Sequence, residues 1–181
     1  MTSSLRQLVA ALKVLLVATV VLGVAYPLVV LGIGRLLPAQ ADGSLVRVNG
    51  TVVGSSLIGQ QSGGDQWFQP RPSAAGDGYD PLSSGASNLG PDDPALVATV
   101  TQRRQQVAAR EGVDPSAVPA DAVTASGSGL DPDISPAYAR LQAARVARVR
   151  GLDPATVRAL VEQHMQGRTL GMLRDPHLNV L

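Results

Sequence analysis

The sequence predicts an α+β chain: one N-terminal transmembrane helix followed by a single small soluble domain with a short irregular sheet and about three helices. Three observations predict it. Residues 14–34 run for 21 positions without a charge. An Asn49-Gly50 pair separates two short β-branched runs, and three later segments open on Asp-Pro or Ser-Pro, each closed by a glycine.

At about 1.5 Å per residue the uncharged run covers roughly 30 Å, the thickness of bilayer hydrocarbon. Ala39-Gln40-Ala41 offers a small-x-small pattern like a signal-peptidase site, yet signal h-regions span only about 7–15 residues, so a retained anchor is expected. Gly23, Pro27 and Gly32 interrupt the run, as membrane helices tolerate when packed on other helices. Arg6 and Lys13 precede it while Arg35 and Arg47 follow it, so charge alone leaves the orientation open. The expected division is an N-terminal segment 1–13, a transmembrane helix 14–34 and a soluble domain 35–181.

From Arg35 onward there are 13 arginines, 14 acidic residues and no lysine, a formal charge of −1 that gives no pull toward nucleic acid. Cysteine is absent, which excludes disulfides and thiolate chemistry.

Along the soluble part, 45–48 and 51–53 predict a hairpin. Residues 62–90 are so rich in Gly and Pro that they predict a long structured loop, with Trp67 and Phe68 plugging the core beneath it. A first helix is expected after Pro91-Asp92-Asp93, with Leu96, Val97, Val100 and Val107 as its apolar stripe and Gly112 as its stop. A second runs from Ser135-Pro136 to Gly151, and a third from Asp153-Pro154 to Gly167 with Val157, Leu160, Val161 and His164 on one face. Val123-Thr124-Ala125 and Leu178-Asn179-Val180 are expected to be short strands. Asp-Pro recurs at 80, 93, 114, 131, 153 and 175, too irregularly for a repeat.

A P-loop cannot be written without a lysine beyond the membrane, and Gly127-Ser128-Gly129 meets Pro132 where a dinucleotide fingerprint needs its third glycine. A serine hydrolase would draw on Ser87 or Ser128 with His164 and Asp131, but Gly85-Ala86-Ser87-Asn88-Leu89-Gly90 misses the G-x-S-x-G elbow by one residue. A metal site would draw on His164 and His177 with Asp131, Asp133 or Asp175, without any ligand spacing. Asp131 and Asp133 fit turn and helix-entry roles. The arginines at 103, 104 and 110 and at 140, 145, 148 and 150 are expected to be solvated faces.

Several segments, in order, resemble the KdpC family: Gly54-Ser55-Ser56-Leu57-Ile58-Gly59-Gln60; Phe68 with Arg71-Pro72-Ser73; Tyr79-Asp80; Ser84-Gly85-Ala86-Ser87-Asn88-Leu89-Gly90-Pro91; and Val123-Thr124-Ala125-Ser126-Gly127-Ser128-Gly129-Leu130-Asp131-Pro132, running into Ile134-Ser135-Pro136. The last third adds Gln142 with Arg145-Val146-Ala147, Arg150-Gly151-Leu152, Gly167-Arg168 and Asn179-Val180-Leu181. Ala86 stands where the family usually has glycine, and relatives commonly continue a few residues past the position of Leu181. The resemblance implies the small subunit of the bacterial Kdp potassium-importing P-type ATPase, in the bacterial inner membrane; its soluble domain is expected to be extracytoplasmic, the side that a cap over the ion entrance requires. Implied partners are KdpA, KdpB, KdpF and membrane lipid, with no nucleic acid. Catalysis then belongs to KdpB, and ATP enters only through that subunit. The family carries two accounts of KdpC, a cap over the ion entrance of KdpA and a chaperone raising the ATP affinity of KdpB; the absence of a phosphate loop favours the cap. No catalytic or metal residue is expected, and candidate interface residues are Gly23, Pro27, Gly32, Ser87, Asn88, Ser126, Ser128, Asp131, Gln142 and Arg145.

Overall fold

The computed structural model describes residues 3–181, which divide into two compact units at residue 45. The first is dominated by helix α1 (Ser3–Leu36), 34 residues long and without a buried residue in its most apolar window. Its centre, Val21–Ala25, widens to π geometry, where Tyr26 N–H bonds the Val21 carbonyl five residues back. Pro27 accounts for this local widening. It has no N–H to give the carbonyl of Gly23, and its ring crowds that carbonyl, so the turn opens by one residue instead of breaking. One turn earlier the Thr19 hydroxyl donates to the Leu15 carbonyl at 2.8 Å. After Leu36 the chain makes one helical turn, Pro38–Ala41.

The expected hairpin forms from β1 (Leu45–Val48) and β2 (Thr51–Ser55). Asn49 and Gly50 both take positive φ, 50° and 81°, as a two-residue primed turn requires. Residues 62–90 hold neither helix nor strand. Helix α2 (Pro94–Glu111) starts where Asp93 accepts from the Ala95 N–H at 2.8 Å and ends on left-handed Gly112. Helix α3 (Pro136–Arg150) is capped by Ser135, which accepts from Tyr138 N–H at 3.1 Å, and ends on Gly151. Asp121 holds that cap in place, accepting from the Ser135 N–H at 2.7 Å and hydroxyl at 2.9 Å. Helix α4 (Pro154–His164) is capped by Asp153.

Two expectations are corrected. Val123-Thr124-Ala125 is not a strand: Val123 ends a 3-10 turn, and the extended pair lies ten residues on, where β3 (Asp133–Ile134) runs antiparallel to β4 (Leu178–Asn179). Helix α4 stops at His164 instead of running to Gly167, because Gln166 exchanges backbone hydrogen bonds with His177 at 2.8 and 3.0 Å and cannot also be helical. The sheet is accordingly two separate two-stranded ladders.

The core gathers Val107 and Ala108 of α2, Val123, Ile134, Val157 and Val161 of α4, and Leu178 around α3. On α3, Ala139, Ala143 and Ala147 are fully buried at four-residue spacing, a stripe of small side chains that lets neighbouring elements approach closely. Only half of the apolar stripe expected on α2 is used: Val107 is buried, whereas Val97 remains 54% exposed.

Candidate functional site

The glycine-rich loop 62–90 gains its shape from two polar clamps. Its first half is held from α3. Gln142 and Gln69 exchange two hydrogen bonds, Gln69 N–H donating to the Gln142 side-chain oxygen at 2.6 Å and the Gln142 amide donating to the Gln69 carbonyl at 3.0 Å. Arg145, one turn along, donates to the carbonyls of Asp65 and Trp67 and to the Gln142 oxygen. Its Nε meets both Glu111 oxygens at 2.9 and 3.1 Å, and both side chains of this ion pair are 1% exposed. Burial raises the Glu111 carboxyl above its ordinary range, with the Arg145 hydrogen bond and charge opposing the rise.

The second half is held by the turn at 126–131. The Ser73 hydroxyl donates to the Gly129 carbonyl at 2.6 Å and accepts from the N–H groups of Ala75 and Tyr79 at 3.1 and 2.8 Å. Arg71 pairs with Asp131 at 3.2 Å and bonds the Ala125 carbonyl at 3.3 Å, while the Tyr79 hydroxyl donates to the Arg71 carbonyl at 2.5 Å. Two glycines permit this contact. A Cβ on Gly129, whose φ is +69°, would lie 2.6 Å from the Gly85 carbonyl oxygen, and one on Gly59 would lie 2.7 Å from the Asp131 carbonyl oxygen. Burial pushes the hydroxyls of Tyr79 and Tyr138 up to about 12.

Between the clamps opens a polar cleft of about 400 Å³ with Arg71, Arg103 and Arg110 on its walls. Each guanidinium is already engaged, by Asp131, by the Val123 carbonyl at 3.3 Å and by Asp65 at 3.8 Å respectively. A separate apolar groove of about 210 Å³ runs past Phe68, Leu152, Leu160, Val161, Leu178 and His164.

The structure scatters the candidate interface residues. Ser87 and Asn88 lie exposed in irregular chain and Ser128 on an exposed bend, and Asn88 takes a positive φ of 53°. Ser126 is buried and Asp131 half-buried, and Gln142 and Arg145 lie wholly inside the domain as clamp residues. Gly23 and Gly32 leave open space on α1, the nearest atom to a Cβ on Gly23 being Thr19 Cγ2 at 3.9 Å. Three residues of the hydrolase arrangement are engaged separately: Ser128 accepts from the Leu130 N–H as a turn residue, Asp131 is taken by Arg71 and the Asp133 N–H, and His164 Nδ1 meets the Leu160 carbonyl of its own helix. No cluster of three His, Cys, Asp or Glu suited to a metal occurs among the described residues.

The arginines expected on solvated faces divide. Arg104 and Arg148 are exposed and Arg140 pairs with Glu162 at the surface, but Arg145 is the largest fully buried side chain, which a charge run cannot reveal. Trp67 and Phe68 also part: Phe68 packs on the core, whereas Trp67 is 48% exposed beneath the Arg150 guanidinium, 5.1 Å from its ring centre.

The family described as KdpC: K+-transporting ATPase, c chain, matches residues 8–181. A Potassium-transporting ATPase KdpC subunit of Kineococcus radiotolerans is 59% identical over 181 residues, covering 100% of this chain and 92% of that protein. The corresponding subunit of Rhodospirillum rubrum is 51% identical over 181 residues, 98% of this chain and 92% of that one. That of Gemmatimonas aurantiaca is 55% identical over 161 residues, 88% and 80% respectively.

Proposed function

The chain belongs to the KdpC family of potassium-transporting ATPase subunits, and on that premise we propose that it is needed for assembly and activity of the complex and caps the ion entrance of the channel-like subunit. Membership makes it an accessory subunit of a multi-subunit potassium transporter, and α1 supplies a single apolar helix long enough to cross a membrane. The match over 8–181, which takes in that helix together with the soluble domain, is the observation that carries the reading. The partners are KdpA, KdpB and KdpF, with ATP hydrolysis in KdpB. Residues 1–13 lie in the cytoplasm, 14–34 span the inner membrane and 35–181 lie outside. Nucleotide is cytoplasmic and the soluble domain has no lysine to build a phosphate loop, so any effect of this chain on ATP affinity travels through the assembled complex.

The cysteine-free sequence makes the side of the domain directly testable. Ala144, exposed on α3, is replaced in the full chain (Ala144→Cys) and intact cells are treated with a membrane-impermeant maleimide. Labelling before lysis is the expected result. Protection until lysis puts the domain inside and overturns the cap.

A further inference from the structure

Beyond α4 the chain makes a narrow excursion whose tip exposes three large apolar side chains within four residues. Its base is closed by the Gln166–His177 bridge and its stem by a second bridge, with Thr169 N–H bonding the Leu173 carbonyl at 2.8 Å and Leu173 N–H returning at 2.9 Å. Gly171 N–H to the Arg168 carbonyl, 3.1 Å, and Met172 N–H to the Thr169 carbonyl, 3.3 Å, complete a turn with most of its backbone groups paired. This ordered turn displays Leu170 at 81%, Met172 at 76% and Leu173 at 55% exposure. Leu170 holds φ at +55°, a left-handed conformation a branched side chain seldom adopts.

The surroundings discriminate between occupants. Arg168 is paired with Asp175 at 2.8 Å and Arg174 with Asp133, so the base of the excursion is charge-neutral and offers no cationic patch to anionic headgroups. No Trp, Tyr or Phe lies within residues 166–177, whereas surface anchors at a bilayer rely on aromatic and basic side chains. A neutral, pre-ordered prong of Leu, Met and Leu suits a dry protein pocket, where the flexible thioether adapts to an irregular wall. We infer that Leu170, Met172 and Leu173 form a docking prong inserted into an apolar pocket on another subunit of the potassium-transporting ATPase. This rests on the reading of the chain as an assembled subunit.

The test uses the co-expressed complex. Met172→Cys places the sole thiol of the chain on the prong; it is coupled to a benzophenone maleimide and irradiated in native membranes. The expected product is an adduct with another subunit of the ATPase, identified by its peptides. An adduct with lipid alone, with a second copy of this chain, or none at all in an intact complex overturns the proposal. In parallel, Leu170→Ser combined with Met172→Ser should cut the complex recovered after detergent washing by about tenfold or more, while the thermal midpoint of the full chain alone is unchanged. Recovery equal to wild type overturns the prong and leaves the subunit reading standing. A wild-type chain that recruits no ATPase subunit overturns the subunit reading, and the prong with it.

Discussion

Arg145→Met removes the charge at the centre of the α3 clamp. Both Arg145 and Glu111 side chains are 1% exposed, and the guanidinium satisfies Glu111, Gln142 and the carbonyls of Asp65 and Trp67 together. Methionine fills much of the same volume, so the loss is electrostatic: a buried carboxylate without its counter-ion and carbonyls without donors, for which about 3–5 kcal/mol is the usual cost. For a domain of this size that lowers Tm by roughly 10–20 °C. Trp67 is the only tryptophan and its carbonyl is one of the bonded groups, so its fluorescence during thermal unfolding of the full chain in nanodiscs reports the clamp directly. Acid changes the result in a defined direction. Burial already holds the Glu111 pKa above its ordinary 4.5, and losing Arg145 raises it further. A carboxyl with a raised folded-state pKa contributes stability that is fully present below the unfolded pKa and lost as pH rises through the folded one. The deficit of Arg145→Met is therefore largest at neutral pH and shrinks on acidification. Combining it with Glu111→Leu removes the orphaned charge and should recover most of the loss. A single variant losing less than about 1 kcal/mol, or a double variant no more stable than the single, refutes this account of the clamp.

Gly129→Ala should destabilise the domain by about 2–4 kcal/mol in chemical denaturation, because a positive φ and a clash with backbone atoms of Gly85 and Ala75 coincide. Alkaline titration followed by tyrosine absorbance should show Tyr79 and Tyr138 ionising near 12 in the folded chain; since the ordinary value is 10.0, stability is full below that pH and falls between the two. Gly23→Leu or Gly32→Leu, which fills open space on α1, should lower the yield of complex on affinity purification while membrane insertion persists.

The elements legible in the sequence are those with local causes. Asp93, Ser135 and Asp153 each cap a helix whose first residue is proline, and Gly112 and Gly151 end two of those helices in the left-handed region. The Asn49-Gly50 turn is equally local. What sequence reasoning missed depends on partners far along the chain. The β3 pair is extended because β4, some 45 residues later, hydrogen-bonds it, and α4 ends early because Gln166 meets His177. Arg145 looks like any surface arginine until Glu111, 34 residues upstream, folds against it. Gln142 enters only through the resemblance and Arg145 otherwise only as part of a charge run, and their spacing of three residues on a helix with buried alanines is the one physical signal that turns both inward.

The central claim is that this chain works as an obligatory subunit of a potassium-transporting ATPase. The most direct test is growth in potassium-limiting medium of a strain lacking its own KdpC subunit but carrying the remaining subunits that accompany this chain. The full chain restores growth, and residues 35–181 without the membrane helix do not. Growth that is independent of the chain, or equally restored by the soluble domain alone, contradicts the account.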